Sequence, residues 1–255
     1  MTGSEETLSF RLAYVPGVTP AKWVRIWNER LPGVPLELIA TPPAAAYDVL
    51  RDGGADAGFV RLPADRTYFS AIPLYTETTV VVVPKDHLFT AADEVAVEDL
   101  ADEIVLHPLD DTLGWERPPG QPAFERPATT ADAIELVAAG IGLLVVPQSL
   151  ARLHHRKDLK YRTLTDAPQS QVALAWPEER TTERVEDFIG IVRGRTVNST
   201  RGRSRPQAAD EPKAKQPGKA GARKPAARKP VGKGSRTARG GSGAPKGAKR
   251  GKPRR

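Results

Sequence analysis

Cysteine is absent from this 255-residue chain, so disulfides and thiolate chemistry are excluded within it, while the redox compartment stays open. No apolar run is long enough to cross a membrane. The most apolar stretch, Ala138 to Pro147, falls far short of the ~20 residues a spanning helix needs. The first residues, Met1 to Glu6, are acidic with no apolar segment behind them, which argues against export and for a cytoplasmic protein. Enzyme signatures are missing as well. There is no glycine-rich phosphate loop, no His-Glu-x-x-His and no nucleophile elbow. Gly140 and Gly142 imitate part of a dinucleotide fingerprint, but they follow a helical pattern and read as its stop.

What is present is distributed unevenly. The chain carries 38 basic and 31 acidic residues, a net charge of +7. Residues 201–255 hold 19 of the basic ones against only Asp210 and Glu211, which leaves residues 1–200 with a charge of −10. In 201–255, Lys, Arg, Gly, Ala and Pro make up 46 of 55 residues, Val231 is the one large aliphatic, and there is no aromatic. A segment of that composition cannot bury enough surface to offset chain entropy and is expected to stay disordered. Residues 1–200 are long enough for one large domain or two small lobes.

Along that part, residues 8–15 alternate like an opening strand. Thr19 and Pro20 read as the N-cap and first residue of a helix whose apolar positions are Trp23, Ile26, Trp27 and Leu31. Residues 34–40 form a second strand, Thr41-Pro42 opens a second helix, and 57–60 is a third strand. This β-α-β-α-β order implies a parallel sheet with helices on its faces. Residues 70–84 are then extended for too long to stay in one compact sheet and should pass into a second lobe. That lobe has a short helix at 97–100, a strand at 103–107, a Pro/Gly-rich loop at 118–122, a helix from Thr129 or Thr130, a buried strand at 142–146, a helix from Pro147 and a strand at 161–164. Residues 171–176 should return to the first lobe, and 182–192 close the fold as an amphipathic helix with Val185, Phe188, Ile189 and Val192 inward.

The order of these elements resembles the effector-binding (substrate-binding) domain of LysR-type transcriptional regulators, a type 2 periplasmic-binding-protein fold. The resemblance rests on Phe10 to Val18 (FRLAYVPGV), Gly53 to Phe59 (GGADAGF), the crossover Tyr75 to Pro84 followed by KDHL, and above all Glu135 to Pro147 (ELVAAGIGLLVVP). It implies an α/β protein with lobe I at 8–83 and 176–196, lobe II at 84–175, and a basic segment at 197–255. Family members carry a winged helix-turn-helix ahead of this domain. Here the similar region begins near residue 8, so operator-specific reading by this chain alone is not expected. The resemblance further implies a small-molecule effector in the cleft between the lobes and a homodimer, or a heteromer with a full-length regulator. No cofactor, metal or catalytic residue is expected.

In α/β lobes, ligands bind beyond the C-terminal ends of the strands. Helix starts at such places offer free N–H groups and the positive end of the helix dipole to an anion. The candidate effector residues are therefore Val18, Thr19, Arg61, His107, Thr129, Val146 and Pro147. Thr19 and Thr129 have ordinary capping as their competing role, with Thr129 to Asp132 readable as a capping box. Arg61 stands between a solvated surface position and a charge-assisted contact to an anionic organic effector. His87 reads as a structural hinge residue, and His107 as a cleft or edge residue. His154 and His155 are adjacent, so on a helix they diverge by about 100° and cannot share a metal.

The basic segment points to nucleic acid. Arg223, Lys224, Arg228, Lys229, Lys249, Arg250, Lys252, Arg254 and Arg255 are spread along flexible chain, which neutralises phosphates without reading bases. With no aromatic there, stacking on single strands is not available. Two alternatives stay open: an enzyme of dehydratase or lyase type on the same fold, and a nucleoid-associated architectural protein whose ligand domain is vestigial.

Overall fold

The computed structural model describes residues 9–195; the basic segment lies outside them. Two sheets organise the chain. The first has five strands, in the order Leu36–Ala40, Phe10–Tyr14, Ala57–Arg61, Ser170–Pro177 and Phe69–Glu77, and the second has six, in the order Glu94–Ala96, Leu159–Thr165, Thr79–Pro84, Leu143–Pro147, Ile104–Leu106 and Gln121–Pro122.

The first sheet is built by β1 (Phe10–Tyr14), β2 (Leu36–Ala40) and β3 (Ala57–Arg61), which pair in parallel, with α1 (Ala21–Arg30) and α2 (Ala46–Arg51) between them. A 3-10 turn at Pro43–Ala45 precedes α2. Strand β3 is buried at every position, as befits a strand with neighbours on both sides and covered faces. Gly58 fits this crowding, since a Cβ there would lie 3.2 Å from that of Ala13 on the paired strand. On one face α1 meets the closing helix α5 (Glu183–Val192). Phe10 stacks on Trp27 at 4.6 Å, Phe188 sits 5.2 Å from Phe10, and Phe59 lies 5.9 Å from Phe188. The buried Trp27 indole N–H donates to the Val34 carbonyl at 2.9 Å, so the ring enters the core with its polar atom satisfied.

The long extended stretch is two strands. β4 (Phe69–Glu77) lies in the first sheet and β5 (Thr79–Pro84) in the second. The chain returns by β11 (Ser170–Pro177), which pairs antiparallel with both β3 and β4. Two crossings, at 77–79 and 165–170, thus join the lobes. Dividing them at 83/84 and 175/176 assigns β5 and most of β11 to the wrong sheets; a run of valines reads the same in either lobe, and only pairing decides.

In the second sheet, β5 and β9 (Leu143–Pro147) alternate cleanly. Val80, Val82, Leu144 and Val146 pack with Ala133, Ile134 and Val137 of α3 (Thr130–Ala138) and Leu150 of α4 (Gln148–Leu153). Val81, Val83, Leu143 and Val145 face the other way, onto Phe89, Val95 and Leu100. That second face is covered by irregular chain with 3-10 turns at Leu88–Ala91 and Val97–Leu100 and the short strand β6 (Glu94–Ala96). The remaining strands are β7 (Ile104–Leu106), β8 (Gln121–Pro122) and β10 (Leu159–Thr165). Gly140, with φ +79°, ends α3 as a residue that tolerates a left-handed turn.

Two capping expectations part ways. Thr129 caps α3 in a full capping box, accepting from the Asp132 N–H at 3.1 Å while Asp132 accepts from the Thr129 N–H at 3.1 Å. Thr19 does not cap α1. The helix begins one residue later than expected, Pro20 holds the N-cap position, and no side chain caps it. His87 is not at a crossing either. It follows β5 inside the second lobe, accepts from the Phe89 N–H at 3.3 Å and lies 3.4 Å from Glu103.

Replacing Phe188 with alanine should cost about 3–5 kcal/mol, the price of a large cavity in a fully packed site, because its ring joins α5 to both Phe10 and Trp27. Urea denaturation checks this. A loss below about 1 kcal/mol would mean that the site collapses around the vacancy.

Candidate functional site

The sheet order places a topological switch between β1 and β3. The connection from β1 runs out to β2, and the next strand, β3, returns to the other side of β1. Crevices open at such points beyond the C-terminal strand ends. Here those ends carry the turn Pro16-Gly17-Val18 and Arg61, the last residue of β3.

Arg61 is 8% exposed, so the solvated reading of this residue is corrected. Its four terminal N–H bonds reach segments from both lobes. One terminal nitrogen, Nη1, pairs with the Glu77 carboxylate and donates to Ser170 Oγ at 2.9 Å. The other, Nη2, donates to the Pro16 carbonyl at 3.2 Å and to Ser149 Oγ at 3.3 Å. Nε, equally buried, has no partner. Pro16 belongs to the β1–α1 turn, Ser149 to the start of α4, and Glu77 and Ser170 to the two crossings, where they are register partners. Burial pushes the guanidinium down to about 10, opposed by Tyr75, so it is charged at neutral pH. The Tyr75 phenol is pushed up by burial and drawn back by Arg61.

The lobes touch at this point. Gly17 has φ +86°, and a Cβ there would lie 2.4 Å from Ser149 Oγ and 3.2 Å from Arg61 Nη2. Glycine is required twice over, for the backbone conformation and for the close approach.

The other candidates are placed differently. Val18 is buried in the first lobe's core and Val146 in the second's. Pro147 is buried at the end of β9. Thr19 is exposed. His107 lies 3.6 Å from Asp111, its carbonyl accepts from Arg126 Nε at 2.8 Å, and Thr130 Oγ1 donates to Asp110 at 2.9 Å. These contacts pin the loop after β7 onto the start of α3. Among the described residues no group of three or more His, Cys, Asp or Glu side chains is placed to hold a metal, and no helix is long and apolar enough to cross a membrane. Arg61 is thus the one candidate brought into a polar cluster between the lobes. Its partners Pro16, Glu77, Ser149 and Ser170 were missed. Glu77 had a signal, being the only charged residue in 70–84; the two serines had none.

Two α/β lobes joined by two crossings, with a polar cluster where they meet, define a fold of the type 2 periplasmic-binding-protein kind. The family model for the LysR substrate binding domain matches residues 5–196, and the chain belongs to that family. In sequence it is similar to a probable hydrogen peroxide-inducible genes activator of Mycobacterium avium, 32% identical over 161 residues, 58% of this chain and 52% of that protein. It is also similar to the HTH-type transcriptional regulator AlsR of Bacillus subtilis (strain 168), 26% identical over 184 residues, 66% of this chain and 59% of AlsR. The chain spans about half the length of the curated relatives it matches. In structure it is similar to the BenM effector binding domain with its effector benzoate (TM-score 0.61, 22% identity, 73% of this chain and 90% of that one). The oxidized form of OxyR is comparable, with a TM-score of 0.59 at 20% identity, covering 74% of this chain and 95% of that one. At these identities the structural likeness establishes the fold.

Tyr47 supports Arg61 from behind, its hydroxyl donating to the Arg61 carbonyl at 3.0 Å. Burial pushes this phenol from 10 up to about 12. Between those values the folded protein keeps a proton that the unfolded chain has lost, so this group makes stability fall as pH rises through the window. Tyr47→Phe should lose about 1 kcal/mol at neutral pH, the worth of one hydrogen bond, and should remove one late-ionising phenol from a spectrophotometric titration. A titration unchanged by the substitution would place the late phenol elsewhere.

Proposed function

We propose that this chain is the effector-sensing part of a LysR-type transcriptional regulator or accessory regulator, and that a small organic anion binds between the lobes at Arg61. The observation that carries this reading is the buried guanidinium at the switch point, bonded to both lobes and to both crossings. A ligand that engages it bears on both crossings and on the turn and helix start that meet there. The proposed cleft also takes in Thr19, His107 and Thr129, and takes in Val18, Val146 and Pro147 through their backbone alone, since those three side chains are buried. The protein acts in the cytoplasm, as a homodimer or in a heteromer with a full-length regulator, and is not an enzyme. His107 and Asp110 are held in contacts within the second lobe.

The sequence supports binding over redox sensing. Peroxide acts on proteins chiefly through thiolates, and this chain has no cysteine. Whatever the peroxide-inducible relatives respond to, a thiol in these 255 residues is not the receiver.

A thermal-shift screen of organic acids against the full chain tests the effector reading. A hit should raise Tm, and Arg61→Met should abolish the shift. A shift that survives this substitution would move the site elsewhere.

The basic segment 197–255 lies outside the described residues, and the proposal for it is non-specific nucleic-acid association through Arg223, Lys224, Arg228, Lys229 and the Lys/Arg cluster at 249–255. If about 8 charges engage phosphate, affinity should fall by roughly 10³–10⁴ between 50 and 200 mM salt. Titrating several unrelated duplexes with the full chain and with residues 1–200 checks this. Binding by the shorter chain, or preference for one sequence, would place recognition in the folded part.

A further inference from the structure

Arg61 is the residue on which an anionic ligand would act, yet its charge is already matched. The Glu77 carboxylate is paired with it, and the two side chains are only 5% and 6% exposed. Ser170, Pro16 and Ser149 take the other terminal N–H groups. A third charge brought to a buried, neutral pair would meet no net attraction. Adding an anion is therefore ruled out by the electrostatics, and replacing one is not.

We propose that Glu77 is an internal stand-in for the carboxylate of the effector: it fills the anion position on Arg61 in the ligand-free protein, and an organic carboxylate binds by taking that position and releasing Glu77. The inference rests on the reading of this cleft as the effector site and specifies how that site is entered.

Three features of the site make the exchange workable. A carboxylate for a carboxylate keeps Arg61 neutralised, so the ligand is not charged with the desolvation of the guanidinium. An uncharged amide of the same shape would leave Arg61 buried and unpaired, which costs several kcal/mol; the exchange thus selects acids over amides. The position of Glu77 also turns exchange into movement. It is the last residue of β4, register partner of Ser170 on the other crossing, and only Thr78 separates it from β5. Releasing Glu77 frees its own crossing from the arginine, and the change reaches the other crossing through Ser170, which pairs in register with Glu77 and is bonded to the same Nη1. Entry further requires the turn at Gly17 to part from Ser149, because the two are packed too closely there to admit even a methyl group.

Chemical rescue tests this on the full chain, with formate as the probe, formamide as its uncharged counterpart and chloride as the ionic-strength control. Glu77→Ala should melt lower than the unaltered protein. Formate at ten times its dissociation constant should raise the Tm of this variant by about 4 °C. Formamide and chloride should not, and the unaltered protein and Arg61→Met/Glu77→Ala should show no shift beyond chloride. If Glu77→Ala does not fold, Glu77→Ser leaves the same anion position vacant and should show the same formate-specific shift, lost in Arg61→Met/Glu77→Ser. A formate shift that is absent from the single variants, or equal in all proteins, overturns the proposal. This outcome is separate from that of the organic-acid screen. A protein with a true effector and no formate rescue remains a sensor without carboxylate exchange, while rescue without any effector hit would leave the exchange standing and the sensing role unsupported.

Discussion

The guanidinium of Arg61 is the point on which the arrangement of the two lobes depends. Each lobe has its own apolar core, one centred on Phe10, Trp27, Phe59 and Phe188 and the other divided between the two faces of the second sheet. Packing within a lobe says little about its orientation relative to the other. Polar contacts at the junction say more, and Arg61 makes them with the β1–α1 turn, the start of α4 and both crossings. A buried pair of this kind is weak evidence for stability, since an apolar substitute of equal volume is often as good. Its better-attested use is to specify one arrangement among several, and here the arrangement specified is the approach of Gly17 to Ser149.

Everything that brings Arg61 to this place is ordinary strand and helix chemistry. Strand β3 is central and wholly buried, with β1 and β11 on its flanks. Its last side chain therefore emerges at the switch point with no freedom to turn towards water. Tyr47 holds its carbonyl from α2, and Arg11 ties β1 to the start of β3 through Asp56, at 2.7 Å from its backbone N–H and 2.9 Å from its side chain. The position is fixed by the sheet before any polar contact forms. The four hydrogen-bonded partners then determine which way the lobes face.

Much of this was legible in the residues. The valines of 80–83 and the run 143–146 alternate between two cores, a pattern with period two that pairing converts into two faces. The capping box at Thr129 and the glycine stop at Gly140 were explicit in the chain. What stayed hidden was relational. Thr19 looked like a cap because threonine before proline usually is one, but the turn at Gly17 carries the chain past that register. Valines 80–83 gave no hint of which sheet they would join. The serines at 149 and 170 are unremarkable until the fold sets them on either side of one arginine. Glu77 carried a signal that went unread: a single charge in fifteen extended residues demands a partner if it is buried, but nothing in the chain named Arg61 as that partner.

Ligand choice can vary within one fold. BenM is described with its effector benzoate and OxyR in an oxidized form, on the same fold. The scaffold does not dictate the input. In this chain the thiol is missing and the buried cation is present with its own counter-ion. A site prepared in that way is electrically neutral at rest, so it does not draw in small inorganic anions by field alone. Selectivity then depends on whether the rest of a ligand can repay the separation of Gly17 from Ser149. Formate can occupy a vacated carboxylate position, but opening the lobes against an intact Glu77 requires apolar or hydrogen-bonded surface beyond the acid group. On this physical ground a ligand that enters by displacing Glu77, as proposed, would have to be an organic acid of some size.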